Sequence, residues 1–149
     1  MKLFRLLSTL GAAILLLSSC GNETPTAGTP TAFAAVCDRA NDGKRVAVDG
    51  YLIFPSSVSD STSVMMLMHE GDAFEGAPIG VQIPFGTAAN QVENVADQFS
   101  DDDMQLHLAD GSVVGFLTPV TVSGKVYFPT VDQEFACALE NPYFEQADA

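Results

Sequence analysis

The chain has 149 residues, of which 19 are acidic and 6 are basic, so its formal net charge is −13. Such an acidic surface repels the phosphates of nucleic acids, whose binding depends mainly on Lys and Arg. It also repels anionic lipid headgroups, which argues against peripheral membrane contact through charged side chains. The acidity favours solubility, and a salty habitat or the attraction of cations would also explain it.

The first twenty residues have the pattern of a targeting segment. Lys2 and Arg5 precede a mostly apolar run over residues 6–17, which is shorter than the roughly 20 residues that a membrane-spanning helix needs. Leu17-Ser18-Ser19-Cys20 follows, and it resembles the lipobox of bacterial lipoproteins. That resemblance implies cleavage before Cys20, diacylglycerol on its sulfur and another acyl chain on its amine. An ordinary secretory signal or a membrane span is the alternative.

Cleavage of the signal peptide, residues 1–19, would leave 130 residues, enough for one domain with a hydrophobic core. Since Lys2 and Arg5 leave with it, four basic residues would remain against 19 acidic ones, a net charge of −15. The resemblance implies a place in the bacterial cell envelope, with the membrane as a partner through the lipid anchor. Gly21 follows the cysteine where an Asp would be the alternative, and this resembles the pattern that sorts such proteins to the outer membrane in enteric bacteria, facing the periplasm. The cell surface and the inner membrane are the alternatives.

With Cys20 acylated, Cys37 and Cys137 remain. Outside the cytoplasm an isolated pair predicts one disulfide, because the chain has no Cys-x-x-Cys motif typical of redox or metal sites. A redox or metal-binding thiol pair is the alternative. In the chain-entropy model, a bond that closes a loop of about 100 residues stabilises a fold by about 4 to 5 kcal/mol.

The elements begin with a predicted flexible tether over residues 20–34, since this stretch is rich in Gly, Pro and Thr and has no apolar period. A helical turn is predicted over residues 33–38, at the start of the domain proper, residues 35–142. A long strand follows in residues 46–55, Val-Ala-Val-Asp-Gly-Tyr-Leu-Ile-Phe-Pro. This pattern recurs in residues 120–129, where Val, Val, Gly, Phe and Pro occupy the same five places. Both stretches predict strands that can bend at the glycine and that end at the proline.

Shorter elements lie between and after the two repeated stretches. Strands are predicted over residues 64–68 and 79–85 by their apolar content. Val92, Val95, Ala96 and Phe99 fall at helical spacing and predict a helix within residues 87–99. The remaining predictions are a hairpin over residues 104–117 turning at Asp110-Gly111, a last strand with Phe135, Cys137 and Leu139 that Asn141-Pro142 ends, and an acidic tail over residues 143–149.

This order of elements predicts a mainly β fold. The Val-x-Val-x-Gly strands at the first and fourth positions resemble those of bacterial OB-fold domains, over about residues 44–140. The resemblance implies a small OB-like barrel of five to seven strands with one helix, and the hairpin at 104–117 would then be an insertion. A β-sandwich with one helix is the alternative.

Few residues suggest chemistry. His69 and His107 lie in no Gly-x-Ser-x-Gly or His-x-x-x-His context, so the sequence favours a protein without a catalytic site or cofactor of its own. Asp101, Asp102 and Asp103 form the densest carboxylate run and are candidate Ca²⁺ ligands. Three consecutive aspartates do not match the alternating spacing of a known calcium loop. A metal-dependent envelope protein or enzyme that uses Asp101 to Asp103 is nevertheless the alternative function.

The OB-fold resemblance also implies a ligand face on the second and third strands, near Met65, Leu67, Val81 and Ile83. The loops at residues 56–63 and 70–78 would flank this face, and they lack the combination of basic and aromatic residues that binds single-stranded nucleic acid. A protein or a saccharide is therefore the expected partner. The expected function is binding or scaffolding at the envelope.

Overall fold

The structure, a computed structural model, describes residues 23–148. The lipobox and Cys20 therefore lie outside the described residues, and the predictions made for them stay predictions. The strands are β1 (Thr29–Pro30), β2 (Arg45–Ile53), β3 (Ser63–His69), β4 (Ile79–Pro84), β5 (Gln91–Val92), β6 (Leu106–His107), β7 (Val113–Val114), β8 (Val120–Tyr127) and β9 (Ala138–Gln146). Three single 3₁₀ turns, Phe33–Ala35, Arg39–Asn41 and Asp101–Asp103, complete the regular structure of this part of the chain.

Five of the strands close into a barrel. Strand β2 pairs with β3, β3 with β4, β4 with β9, β9 with β8, and β8 pairs back with β2. All of these pairs are antiparallel except β4 and β9, which are parallel. In chain order the barrel reads first, second, third, fifth, fourth strand, which agrees with a small OB-like barrel. The prediction of a mainly β barrel is confirmed, and the strands do not form the two sheets of the alternative sandwich.

The two repeated stretches, β2 and β8, are paired directly with each other. Val48 lies opposite Val122, and the glycine of each strand lies opposite the first valine of the other: Gly50 faces Val120, and Gly124 faces Val46. The four valines are buried in the core. The repeat therefore closes the barrel, because each strand offers an apolar inner row and one position without a Cβ where a third strand can approach.

Strand β9 is longer than the sequence predicted. It continues through Asn141 and Pro142 to Gln146, so the prediction that these two residues end the strand is wrong, and residues 143–146 belong to the barrel. The ladder shows the reason: Ser123 pairs with Tyr143 and Lys125 with Glu140, so that two residues of β9 oppose Gly124 alone. This is a β-bulge, a place where a strand tolerates a proline that cannot donate to the ladder.

The predicted helix over residues 87–99 is wrong. Residues 91 and 92 form β5, which pairs with β6, and the hairpin partner β7 completes a small three-stranded sheet. Asn90 has a φ of 63°, in the left-handed region, which a right-handed helix cannot continue through. The intrinsic helix propensity of this stretch is mixed, because two valines, two asparagines and an aspartate stand beside three alanines, two glutamines and a glutamate. Buried Val92 and half-buried Val95 pack on the core without helical structure.

The hairpin predicted over residues 104–117 is confirmed, with a longer turn than two residues. His107 pairs with Val113, and residues 108–112 form the connection. The Asp110 carboxylate accepts hydrogen bonds from both the N–H and the hydroxyl of Ser112, at 2.9 and 2.6 Å. These bonds lower the pKa of Asp110, the hydroxyl bond most of all.

The predicted disulfide is confirmed. Cys37 and Cys137 are joined, with 5.4 Å between their Cα atoms. Cys37 follows the 3₁₀ turn Phe33–Ala35, and Cys137 directly precedes β9. The bond therefore fastens the segment before the first barrel strand to the start of the last one.

The segment predicted to be a flexible tether is held against the barrel from Glu23 onward. The Asn141 side chain donates to the carbonyl of Glu23 at 2.9 Å, and the N–H of Gly28 donates to the hydroxyl of Ser123 at 2.9 Å. Strand β1 then pairs in parallel with residues 46–47 of β2. The tether prediction failed because these contacts use backbone groups and Gly28, where a Cβ would collide with the carbonyl of Val46. Polar composition alone does not reveal such contacts.

Candidate functional site

The outward face of β3 and β4 differs from the predicted ligand face. Met65 lies opposite Gln82, and Leu67 lies opposite Gly80. Val81 and Ile83 point into the barrel and are fully buried, so their assignment to the ligand face is wrong. Neighbouring residues of a strand point to opposite sides of the sheet. The sequence-based prediction aligned β4 with β3 one residue out of register, and it therefore put inward-facing residues of β4 on the outer face. Met65 and Leu67 are half-buried on the outside, as expected of residues on such a face.

Two adjoining pockets form a groove on this outer face. The larger has a volume of about 480 Å³ and lies between β4, the residues before β5, the β9 bulge and the N-terminal segment. The smaller, of about 250 Å³, lies under the loop between β2 and β3 and includes Met65. Both pockets share Ser63 and Gln82. The name "β3–β4 groove" is used below for these two pockets together.

Four carboxamide side chains line the larger pocket, and three of them are fixed at one end by the backbone. The Asn90 oxygen accepts from the N–H of Phe144 at 2.8 Å, and the Gln91 oxygen accepts from the N–H of Ala88 at 2.9 Å. The Asn141 nitrogen donates to the carbonyl of Glu23 at 2.9 Å. The other end of each group is the end that remains for a ligand. The fourth carboxamide, Gln82, is exposed.

Backbone geometry places these groups. Asn90 and Asn141 have φ values of 63° and 51°, a left-handed conformation that asparagine tolerates better than most residues. Gly86 has a φ of 151°, and a Cβ there would collide with the Gln91 oxygen, so a glycine is needed for Gln91 to fold back. The β9 bulge turns Asn141 out of the regular ladder, as bulges commonly do beside binding sites.

The charge of the groove is low. None of the described residues that line the two pockets is Lys or Arg, and the carboxylates there are Glu23 in the larger pocket and Asp60 in the smaller. Asp60 is engaged locally: it accepts from the N–H and the hydroxyl of Thr62 at 2.8 and 2.7 Å. The backbone bond and then the hydroxyl bond lower the pKa of Asp60. This carboxylate therefore holds the loop between β2 and β3 in shape.

The two histidines lie away from the groove, and each of them contacts a different set of residues. The Nε2 of His107 is 2.9 Å from the Glu93 carboxylate, between β5 and β6. His69 is buried at the end of β3, with its Nδ1 3.5 Å from the carbonyl oxygen of Glu75 and its ring edge-on to Phe74. His107 is half-buried. Each histidine thus contacts its own local neighbours.

The aspartate run holds the local chain. Asp101 accepts from the N–H of Phe54 at 2.7 Å, beyond the end of β2. Asp103 accepts from the N–H of Ser100 at 2.8 Å in a capping box around the 3₁₀ turn. Within residues 23–148 no group of three or more His, Cys, Asp or Glu side chains is placed to hold a metal ion, and these three aspartates form none. The calcium alternative therefore gains no support from their arrangement.

The fold and the groove define a small closed β-barrel of OB-like type with an amide-lined groove on one outer face. Comparisons with protein-family models, with curated proteins and with solved structures gave no match. In the part of the chain that the structure describes, no helix has the length and apolarity to cross a membrane. Sequence reasoning named Met65 in the groove but missed Gln82, Asn90, Gln91 and Asn141, because their convergence depends on a bulge and on two left-handed residues.

Proposed function

We propose that the protein is a lipid-anchored binding domain of the bacterial envelope, without a catalytic site of its own, and that it takes its partner in the β3–β4 groove. The observation that carries this proposal is the groove itself. Its two pockets adjoin, with Ser63 and Gln82 lining both, and three of its carboxamides are held by backbone hydrogen bonds before any partner arrives. Groups ordered in advance lose little entropy on binding, which favours recognition.

The anchor is proposed at Cys20, by diacylglycerol and a second acyl chain. Two residues, Gly21 and Asn22, separate Cys20 from Glu23, where the chain is fastened to Asn141. Three residues of extended chain span at most about 10 Å. The lipid would therefore hold the barrel close to the membrane, with the larger pocket near the bilayer surface. A long tether, in contrast, would let the barrel move far from the membrane.

The anchor is tested by radiolabelled palmitate in the native host. We expect label in the wild-type protein, loss of the leader in the intact mass, and recovery of the protein in the membrane fraction. Cys20→Ala should lose the label and leave the membrane fraction, while Cys37→Ala, which leaves Cys20 in place, should keep the label. A wild-type protein that takes up no label contradicts the anchor.

The groove is tested by photo-crosslinking in living cells. A photoreactive amino acid replaces Gln82, which is exposed and shared by both pockets, and Asp49 is the matched control, exposed on the β2–β8 side of the barrel. We expect an adduct, to protein or to glycan, at position 82 and none at position 49. Equal adducts at both positions, or none at position 82, would show that the groove is not the binding surface.

A further inference from the structure

We infer that the larger pocket of the β3–β4 groove binds a neutral, hydroxyl-rich ligand, that is a saccharide, through its carboxamide side chains. This inference rests on the proposed function and names the ligand class. Its starting point is the lining of the pocket, where four carboxamides converge in a volume of about 480 Å³, within the range of about 300 to 1,000 Å³ typical of small-molecule sites.

The free ends of the carboxamides give the pocket both hydrogen-bond donors and acceptors. Since the oxygens of Asn90 and Gln91 accept backbone N–H groups, their NH₂ groups face the ligand as donors. Since the nitrogen of Asn141 is bound to the carbonyl of Glu23, its oxygen faces the ligand as an acceptor. Gln82 offers both functions. A hydroxyl group is also both donor and acceptor, so a ligand carrying several hydroxyls can satisfy all of these groups together.

The charged residues that line the pocket disfavour an anionic ligand. No Lys or Arg is among the described residues that line the pocket, and Glu23 adds a negative charge at its rim. A phosphate or carboxylate would lose its hydration without a Lys or Arg in the lining to pair with, which is costly; Arg45, which acts on Glu23, lies outside the lining and donates to the carbonyl of Thr26. A cationic ligand would bind more favourably to a pocket with more than one carboxylate, and Glu23 is the one carboxylate among the described lining residues of this pocket. A neutral ligand fits this lining.

A peptide strand fits less well than a saccharide. Peptide addition to a sheet needs a row of free backbone N–H and C=O groups at an edge. Here β4 ends at Pro84, which has no N–H, and β9 turns away through its bulge opposite Gly124. What the pocket presents is side-chain amides and three proline rings, Pro25, Pro84 and Pro142, whose apolar ring carbons can pack against the C–H groups of a sugar.

The experiment uses the full-length protein in detergent micelles and a panel of neutral tetrasaccharides: cello-, malto-, chito- and mannotetraose. Binding is followed by two-dimensional NMR of the side-chain NH₂ groups. We expect at least one tetrasaccharide to shift the NH₂ signals of Asn90, Gln91 and Gln82. Tetragalacturonate serves as the anionic comparison and should shift none of them, and a random tetrapeptide mixture serves as the peptide comparison.

Two variants separate binding from folding. Asn90→Asp with Gln91→Glu keeps both oxygens that accept from the backbone and removes both donors, and we expect affinity to fall about tenfold or more. Gln82→Ala removes an exposed side chain and should weaken binding about fivefold. Gln105→Glu makes one such amide-to-carboxylate change, half the charge change of the double variant, on an exposed amide outside the pocket and should leave affinity unchanged. Melting temperatures of all variants are measured to check that each variant folds.

The outcomes divide cleanly. Tetrasaccharide shifts at these three side chains in the wild type support the inference if the shift of the Gln82 NH₂ group, which both variants retain, is lost in the double variant and kept in Gln105→Glu. Shifts caused by the tetrapeptides or by tetragalacturonate alone overturn it, as does a tetrasaccharide that binds with equal affinity to the double variant. A protein adduct at position 82 in cells together with no tetrasaccharide binding would leave the proposed function standing and remove the saccharide.

Discussion

The two repeated strands, β2 and β8, have the same pattern in sequence and different surroundings in the fold. Each contributes Val-x-Val-x-Gly, and each glycine faces the first valine of the other strand. At Gly50 the third strand to approach is β3: a Cβ there would lie 2.5 Å from the carbonyl oxygen of His69. At Gly124 it is β9 just before its bulge, where a Cβ would lie 2.7 Å from the Cβ of Leu139.

The fourth position of the repeat shows the difference most clearly. Asp49 occupies it in β2 and is exposed, accepting from the hydroxyl of Thr121 at 2.6 Å. Ser123 occupies it in β8 and is fully buried, because the N-terminal segment lies over it and the N–H of Gly28 donates to its hydroxyl. Two similar strands thus become unlike when one of them is covered by a segment from outside the repeat.

The largest expected effect comes from a bond that supports both strands at once. The disulfide fastens the segment before β2 to the start of β9, the neighbour of β8, across a sequence separation of 100 residues. Cys37→Ala with Cys137→Ala should lower the free energy of unfolding by about 4 kcal/mol in the chain-entropy model. Urea unfolding of the oxidised protein and of the double variant measures it. Equal midpoints would show that the barrel closes without the bond.

The next effect compares the two glycines. Gly50→Ala should cost about 3 kcal/mol, because its Cβ meets backbone that β3 cannot easily move, with the side chain of Met68 also at 2.8 Å. Gly124→Ala should cost about 2 kcal/mol, because the residues its Cβ would meet, Leu139 and Glu140, directly precede the bulge, where β9 is less regular and can shift by a few tenths of an ångström. Thermal unfolding gives both values. Gly71→Ala, with nothing within 4 Å of its Cβ, is the control. A larger loss at Gly124 would reverse the comparison.

A smaller effect tests the covered and uncovered fourth positions. Ser123→Ala leaves the N–H of Gly28 without its partner in a partly buried place, and we expect a loss of about 1 kcal/mol together with faster proteolysis of the N-terminal segment. Asp49→Ala removes an exposed bond and should change stability by less than about 0.5 kcal/mol. Similar losses at the two positions would mean that the segment does not hold Ser123 as described.

The sequence predicts the barrel because period-two patterns and their glycines are local signals, and the repeat marks the two strands that close it. It cannot predict which side of β3 is inward, because Val64 to Met68 is apolar on both faces. Without a polar face on β3, two registers of β4 that differ by one residue are equally consistent with the sequence. The prediction used the wrong one and put Val81 and Ile83 on the outer side. The helix prediction was wrong for a similar reason. Val92 and Phe99 are apolar at helical spacing, but both side chains pack on the core from a non-helical backbone.

The groove is harder to predict than the barrel, since its groups come from four distant parts of the chain. Gln82, Asn90 and Asn141 are ordinary polar residues in the sequence, and what brings them together is the bulge opposite Gly124 and the left-handed backbone at the two asparagines. The fourth-position difference between Asp49 and Ser123 also depends on a remote segment, residues 23–31. Contacts of this kind leave no local pattern.

The smallest expected effect lies at the eighth position of the repeat, where β2 has Ile53 and β8 has Tyr127. Burial, and then the negative charge of Glu140, raise the pKa of Tyr127 above its ordinary value of 10.0. Folding therefore favours the protonated phenol: its contribution to stability is complete below a pH of about 10 and is lost as the pH rises through the higher pKa of the folded state.

Tyr127→Phe should match the wild type at pH 7 and lose less stability than the wild type above a pH of about 10. Ile53→Val, at the equivalent position that cannot titrate, should parallel the wild type over the same range. Urea unfolding at both pH values measures the difference, and a Phe variant as sensitive to alkali as the wild type would place the titrating group elsewhere than on β8.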